Sequence, residues 1–385
     1  MPDLYFDYNS TSPLDPRVRT ALQPWLEHEW GNASTREYRM GWTASEAVDE
    51  AREAVAEMVG GKTDGIIFTS GATESLCAAI RSFAGYDNRN ECKIVTCATE
   101  HAAVLAPCKR LLELNKVELT VLPVDRHGLC KHDDFRNALK TNKRCLVAIM
   151  VANNEIGTIQ PVDELCQLAH DSNAVFLCDL TQAAGKLPIN LSAAQFDFAA
   201  FSSHKMYGPK GVGALVVKKE IGFEALIYGG QERGRRGGTL NVPGVVGFGE
   251  ACRIARDELA TDVPRMRRLR DRFETSLLSE LPDIWINGAG APRLCNTSNI
   301  GFLNVNARTM IRDMHDIACS TKSACSSGDP GPSHVLKAIG LSDDEAYACI
   351  RFSIGRFTTD EEIDYAIGKI IESVRKLRGN VSPNF

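Results

Sequence analysis

The sequence has no run of eighteen apolar residues, no C-x-x-C pair, no disulfide-like ladder of cysteines, no internal repeat and no long low-complexity segment. A membrane-spanning helix, a structural zinc site, a disulfide scaffold and a solenoid are thereby excluded as readings. The first twenty residues carry Asp3, Asp7, Asp15, Arg17 and Arg19 and lack an apolar core of the kind a secretory leader needs. An excess of positive charge is missing as well: 44 Lys+Arg stand against 49 Asp+Glu, a net charge of -5. No general field for nucleic acid or an anionic membrane follows, so a small substrate or a protein partner is expected. The 13 cysteines lie scattered in apolar runs such as 174–178, as reduced and mostly buried thiols of a cytoplasmic protein would.

At 385 residues the chain exceeds one ordinary core, and two domains or lobes are expected. Thr43 and Glu46 read as a capping box, followed at helical spacing by Ala47, Val48, Ala51, Ala54, Val55, Met58 and Val59 until Gly60-Gly61. Short apolar, β-rich runs then alternate with helical patterns: 66–69, 93–96, 146–151, 175–178, 196–201 and 213–217. That alternation predicts an α/β fold with a mainly parallel sheet between helices. From about residue 250 a charged helical stretch, 251–281, and strand candidates at 299–302 and 350–354 predict a smaller α+β domain. The segment 320–333, rich in Ser, Thr, Gly and Pro around Cys325, reads as a mobile loop.

Lys205 is the most informative residue. In 202–211 (Ser-Ser-His-Lys-Met-Tyr-Gly-Pro-Lys-Gly) hydroxyls, an amine and glycine-rich backbone follow directly on the apolar run 196–201. An amine at the edge of a buried sheet can serve as a Schiff-base nucleophile, and the hydroxyls and backbone donors beside it can hold a phosphate. Pyridoxal phosphate (PLP) is the cofactor this suggests, although a lysine before a Gly-Pro turn is more often a solvated surface charge. Ser70-Gly71-Ala72-Thr73-Glu74 follows the run 66–69 and opens a helical pattern, which makes it a phosphate cup or an ordinary N-cap. Asp179 ends another run where open α/β sheets bind ligands, and a carboxylate there can keep a heterocyclic nitrogen protonated.

Taken together these stretches resemble the cysteine desulfurases of the NifS-like group I type, PLP enzymes of the aspartate-aminotransferase fold type. The likeness runs from about Tyr5 to Ile371. Its further motifs are Thr99-Glu100-His101, Asn153-Asn154-Glu155-Ile156-Gly157, Asp179-Leu180-Thr181-Gln182, Gln231-Glu232-Arg233-Gly234, Gly238-Thr239-Leu240, Ser323-Ala324-Cys325 and Ile350-Arg351-Phe352-Ser353. The resemblance implies a PLP fold of type I, with a seven-stranded, mainly parallel sheet in a large domain over 15–255 and a small domain made of 1–14 and 256–385.

It also implies roles. Lys205 would carry PLP and act as the base at Cα, Asp179 would pair with the ring nitrogen, and His101 would stack on the ring and move protons. Asn154 and Gln182 would lie near the ring oxygen. The phosphate would be held by Ala72, Thr73, Ser202 and His204, with Thr239 reaching in from the second subunit of a homodimer. Arg351 would clamp the carboxylate of L-cysteine, with Asn32 at its border. Cys325 would take the sulfur as a persulfide and pass it to an acceptor protein. A thiol titrates near ~8.5 and only the thiolate attacks, so Cys325 needs exposure and a proton acceptor such as His101.

Departures from the family pattern are Ser10-Thr11-Ser12 in place of Ala-Thr-Thr, Gly237 in place of a serine before Gly238-Thr239, and Thr321-Lys322 in place of Ser-Gly before Ser323. Lys322 adds a cation to the delivery loop. With the short ending 381–385, it leads to the expectation of a dedicated acceptor with an acidic rim rather than a general iron-sulfur scaffold. Selenocysteine lysis or another β-elimination would keep the same fold, and a weakly catalytic docking subunit is a reading from another class; Lys205, Asp179, His101 and Cys325 argue against the latter.

Overall fold

The computed structural model describes residues 3–85, 92–322 and 331–379. A two-residue strand, β1 (Leu4–Tyr5), opens it, and seven strands then build the central sheet: β2 (Ile66–Thr69), β3 (Cys92–Cys97), β4 (Val117–Leu122), β5 (Arg144–Met150), β6 (Val175–Asp179), β7 (Phe198–Ser202) and β8 (Gly213–Val217). Their spatial order is β2-β8-β7-β6-β5-β3-β4. All pairings are parallel except those of β8, which runs antiparallel to both β2 and β7. The expected mainly parallel sheet between helices is therefore present. Both faces are apolar, as parallel strands between helix layers must be. One face packs against the helix Arg39–Val59 and the start of the helix Val242–Glu280, the other against the helices Ala72–Ala84 and Ala102–Glu113.

The remaining strands are β9 (Ile284–Ile286), β10 (Thr297–Phe302), β11 (Ile317–Ala318) and β12 (Cys349–Ser353). β9, β10 and β12 form an antiparallel sheet, and β11 pairs in parallel with β1. A second apolar core lies on this sheet and includes Phe6, Phe273, Phe302 and Phe352. The helix Val242–Glu280 serves both cores, burying Val245, Phe248 and Cys252 in the first and Met266, Leu269 and Phe273 in the second. Among the described residues no helix is long and apolar enough to cross a membrane.

One local expectation needs correction. The helix anticipated to start at the Thr43/Glu46 box begins a turn earlier, at Arg39, and the Thr43 hydroxyl donates instead to the Arg39 carbonyl. Its end is as read: Gly60 adopts the left-handed conformation at φ 61 and closes the last turn. Strand β4 escaped the sequence pattern because it is an edge strand whose middle residues are only partly covered, so no continuous apolar run marks it.

Candidate active site

The C-terminal ends of the central strands and the N-terminal segment that crosses them enclose a cavity of about 260 Å³. Of the residues expected at the site, it brings together Ala72, Thr73, His101, Asn154, Asp179, Gln182, Ser202, His204, Lys205 and Arg351. Sequence distance between them reaches from Ala72 to Arg351, which lies on the separate sheet of β12, so only the tertiary fold makes them neighbours.

Lys205 follows β7 in a single helical turn, Ser203–Lys205. Its Nζ donates to the carbonyls of Asn9 at 2.7 Å and Ser10 at 2.6 Å. Asp179 is the last residue of β6 and is 6% exposed, with Oδ1 accepting the Thr181 amide at 2.8 Å. Burial pushes its carboxyl up, against the opposing pull of that hydrogen bond and of His101 and Lys205. A buried carboxylate with one amide donor is a setting that a cationic ring N–H would complete. His101 caps the helix Ala102–Glu113, its Nδ1 accepting the Ala103 amide at 3.1 Å. Burial holds the imidazole below its ordinary range although Asp179 opposes this. The neutral ring with Nδ1 as acceptor carries its proton on Nε2.

At the other end of the cavity the helix Ala72–Ala84 presents its first turn. The Ala72 amide donates to Ser202 Oγ at 2.7 Å, which leaves the Ser202 hydroxyl proton free to donate outward. Close backbone approach makes this cradle: a Cβ on Gly213 would come within 2.5 Å of the Phe201 carbonyl and 2.7 Å of Gly71 Cα. His204 is pushed down to about 4 by burial and then by Lys205, Lys210 and Lys186, so it is neutral at physiological pH; its Nδ1 meets the Thr11 hydroxyl at 3.0 Å. A helix start whose N-cap, Gly71, has no side chain to cap it, an outward hydroxyl and a neutral imidazole fit a phosphate.

Arg351, on β12, is 1% exposed. One terminal nitrogen donates to Asp7 Oδ1 at 2.6 Å and Ser10 Oγ at 2.7 Å, the other to the Asn154 carbonyl at 3.1 Å, and Nε is buried with no hydrogen bond. An unsatisfied buried donor costs about 1–3 kcal/mol, which an arriving carboxylate would offset.

Three expected residues are not in this group. Thr239 is exposed and does not line its own chain's cavity; Asn32 is exposed too, its Oδ1 occupied by the Ser34 amide at 2.9 Å. Cys325 lies outside the described residues. Lys322, expected to present a cation in the delivery loop, is instead 7% exposed and donates to the Gly331 carbonyl at 3.0 Å. A buried amine needs such a partner, and the backbone carbonyl receives its head. Missed by the sequence were Asp7, Asn9 and the hydroxyl of Ser10. The only sequence signal at these positions was the departure Ser10-Thr11-Ser12, whose geometric meaning needed the fold.

A sheet whose strand ends gather a lysine, an aspartate and a phosphate cradle defines a PLP enzyme. The chain matches the aminotransferase class-V family over residues 4–366. It is 42% identical over 385 residues to the cysteine desulfurase IscS of Histophilus somni (strain 2336), covering 99% of this chain and 94% of that one. Among solved structures it is similar to a NifS-like protein at 34% identity and a TM-score of 0.88, covering 97% of this chain and 100% of the other. It is also similar to SspA in complex with cysteine, at 30% identity and a TM-score of 0.81, with 92% and 100% covered. The chain belongs to the PLP-dependent cysteine desulfurases of the aminotransferase class-V family.

Proposed function

We propose that this chain converts L-cysteine to L-alanine with Lys205 as the cofactor lysine and Cys325 as the sulfur acceptor. The observation that carries the reading is the convergence of Lys205, Asp179 and His101 on one cavity that ends in a phosphate cradle. Bound PLP supplies an electron sink for the Cα of the amino acid joined to it. Asp179 would hold the ring nitrogen protonated, and Asn154 and Gln182 would flank the ring oxygen. Ser202, His204, Ala72 and Thr73 would hold the phosphate, with Thr239 of a second copy completing it in a homodimer; the exposure of Thr239 on its own chain supports that arrangement.

The Lys205 amine would then take the proton from Cα, and His101, with its proton on Nε2, would exchange protons with substrate and thiol. Arg351 would fix the substrate carboxylate in a paired hydrogen bond. The Cys325 thiolate would attack the substrate sulfur: an S–S bond forms, the Cβ–S bond breaks, its electron pair stays with carbon, and protonation gives alanine. The persulfide sulfur passes to an acceptor protein. All described cysteines are free, which supports a reducing, cytoplasmic setting. A domain boundary near residue 256 is supported by the way the helix Val242–Glu280 leaves one core for the other after Ala255.

Borohydride reduction of the holoenzyme followed by peptide mapping tests the assignment. The cofactor is expected on Lys205, and the Lys205→Ala protein is expected to carry none. Label on Lys210, or on the buried Lys186, whose amine is pushed down to about 8 by burial, would overturn it.

A further inference from the structure

Resting on that reading of the site, we propose that Asp7 is the positioning counter-ion of the substrate carboxylate site. It fixes the plane of Arg351 and balances its charge while the site is empty, and so sets how tightly any carboxylate is held there.

The geometry makes Asp7 more than a surface partner. Arg351 is almost fully buried, and a charge so placed needs a counter-charge; Asp7 provides one at 2.6 Å while keeping 17% of its own side chain exposed. The other carboxylate oxygen of Asp7 accepts the Ser320 hydroxyl at 3.1 Å. Ser320 and Arg351 are in turn bonded through their backbones, amide to carbonyl in both directions at 3.2 and 2.7 Å, and Asp7 bridges to Ser353. Two chain segments, at Ser320 and on β12 at Arg351, therefore pin the carboxylate, while the Ser353 bridge fixes the backbone that carries it. Ser10 reinforces the arrangement, for its hydroxyl meets Arg351 while its carbonyl accepts Lys205 Nζ. One short segment thus touches both groups assigned to the two ends of an amino acid.

A substrate carboxylate must then settle on Arg351 beside an existing negative charge, and like-charge repulsion in a buried site opposes it. L-Cysteine and L-alanine carry the same carboxylate, so the same repulsion that moderates capture speeds release of product. Binding both too tightly would slow turnover without helping the chemistry.

Calorimetric titration of the PLP-loaded enzyme with L-alanine, and with ethylamine as a ligand without a carboxylate, tests the proposal. D7N keeps an acceptor for Arg351 but loses the charge, and is expected to bind L-alanine about tenfold more tightly while ethylamine binding is unchanged. D7A loses the orientation as well and is expected to bind L-alanine more weakly than D7N does. D7E retains the charge and is expected to stay below D7N in affinity, which keeps the test open should D7A fail to fold. In turnover, D7N is expected to lower both KM and kcat for L-cysteine. L-Alanine binding in D7N that is equal to or weaker than wild type, an ethylamine shift as large as that of L-alanine, or D7E binding as tightly as D7N would each overturn it. Borohydride labelling of wild-type Lys205 reports separately on the cofactor assignment, so the failure of one is distinguishable from the failure of the other.

Discussion

Glu232 offers the sharpest test of how the arm that carries Thr239 is held. Its carboxylate, with a side chain 2% exposed, accepts both terminal nitrogens of Arg52 at 2.7 and 2.9 Å and the Phe68 amide at 2.8 Å. Arg52 also donates to the Ile66 carbonyl at 3.0 Å and lies 4.7 Å over the Phe68 ring. Glu232 and Arg233 adopt left-handed backbone conformations, φ 48 and φ 60, a strained turn that this pair holds against β2 and the Ser70-Gly71 cradle at its end. Glu232→Gln cannot accept from all three donors, and it leaves the Arg52 charge buried. Breaking one side of such a pair costs 3–5 kcal/mol as a rule; the retained Ile66 carbonyl and the Asp49 carboxylate 3.8 Å from Arg52 place the expectation near ~3 kcal/mol. For a chain of 385 residues that corresponds to a fall in Tm of roughly 4 °C. The Arg52→Met, Glu232→Met double variant removes both charges and is expected to lose less than Glu232→Gln alone, since no buried charge is left without a partner. Urea unfolding followed by tryptophan fluorescence, with Cm compared at unchanged slope, measures both. The reasoning fails if Glu232→Gln lies within about 0.5 kcal/mol of wild type, or if the double variant loses the sum of the two single ones.

Cys325→Ser is expected to keep the cofactor on Lys205 and to bind L-cysteine, yet to release neither alanine nor sulfide, because a hydroxyl cannot take sulfur as a persulfide; normal turnover would remove Cys325 from the reaction. His204 gives a pH signature. The unfolded chain protonates a histidine near ~6.5, whereas burial and three lysines hold His204 down to about 4 in the fold. Between those values the unfolded state binds the extra proton, so this contribution is fully present above pH ~6.5 and is lost as pH falls toward 4. Tm measured across that range is expected to fall less steeply in His204→Gln than in wild type, and parallel curves would refute the account.

Much of the site was legible because its residues are tied to local signals. Lys205 announces itself by its Ser-Ser-His context after an apolar run, Asp179 by ending a strand, and Gly71-Ala72-Thr73 by opening a helix. The sheet was legible for the same reason: central strands buried on both faces are continuous apolar runs, and only the partly covered edge strand β4 lacked that mark. The start of the helix Arg39–Val59 was misread because Thr43 satisfies its hydroxyl within the helix, which composition cannot distinguish from a cap.

The sequence by itself determined which residue types were on hand for PLP chemistry and which periodicities would become strand and helix, because hydrophobic period and turn chemistry act over a few neighbours. Pairings across hundreds of residues were left to the tertiary structure. Asp7 meets Arg351 and Ser10 reaches both Lys205 and Arg351 only because β12, β11 and the N-terminal segment pack edge to edge. The inward turn of Lys322 was decided in the same way, by a carbonyl nine residues further along that the fold brings within 3.0 Å. A charge in a sequence carries no direction; whether it faces solvent or is drawn inside depends on the partners that packing supplies.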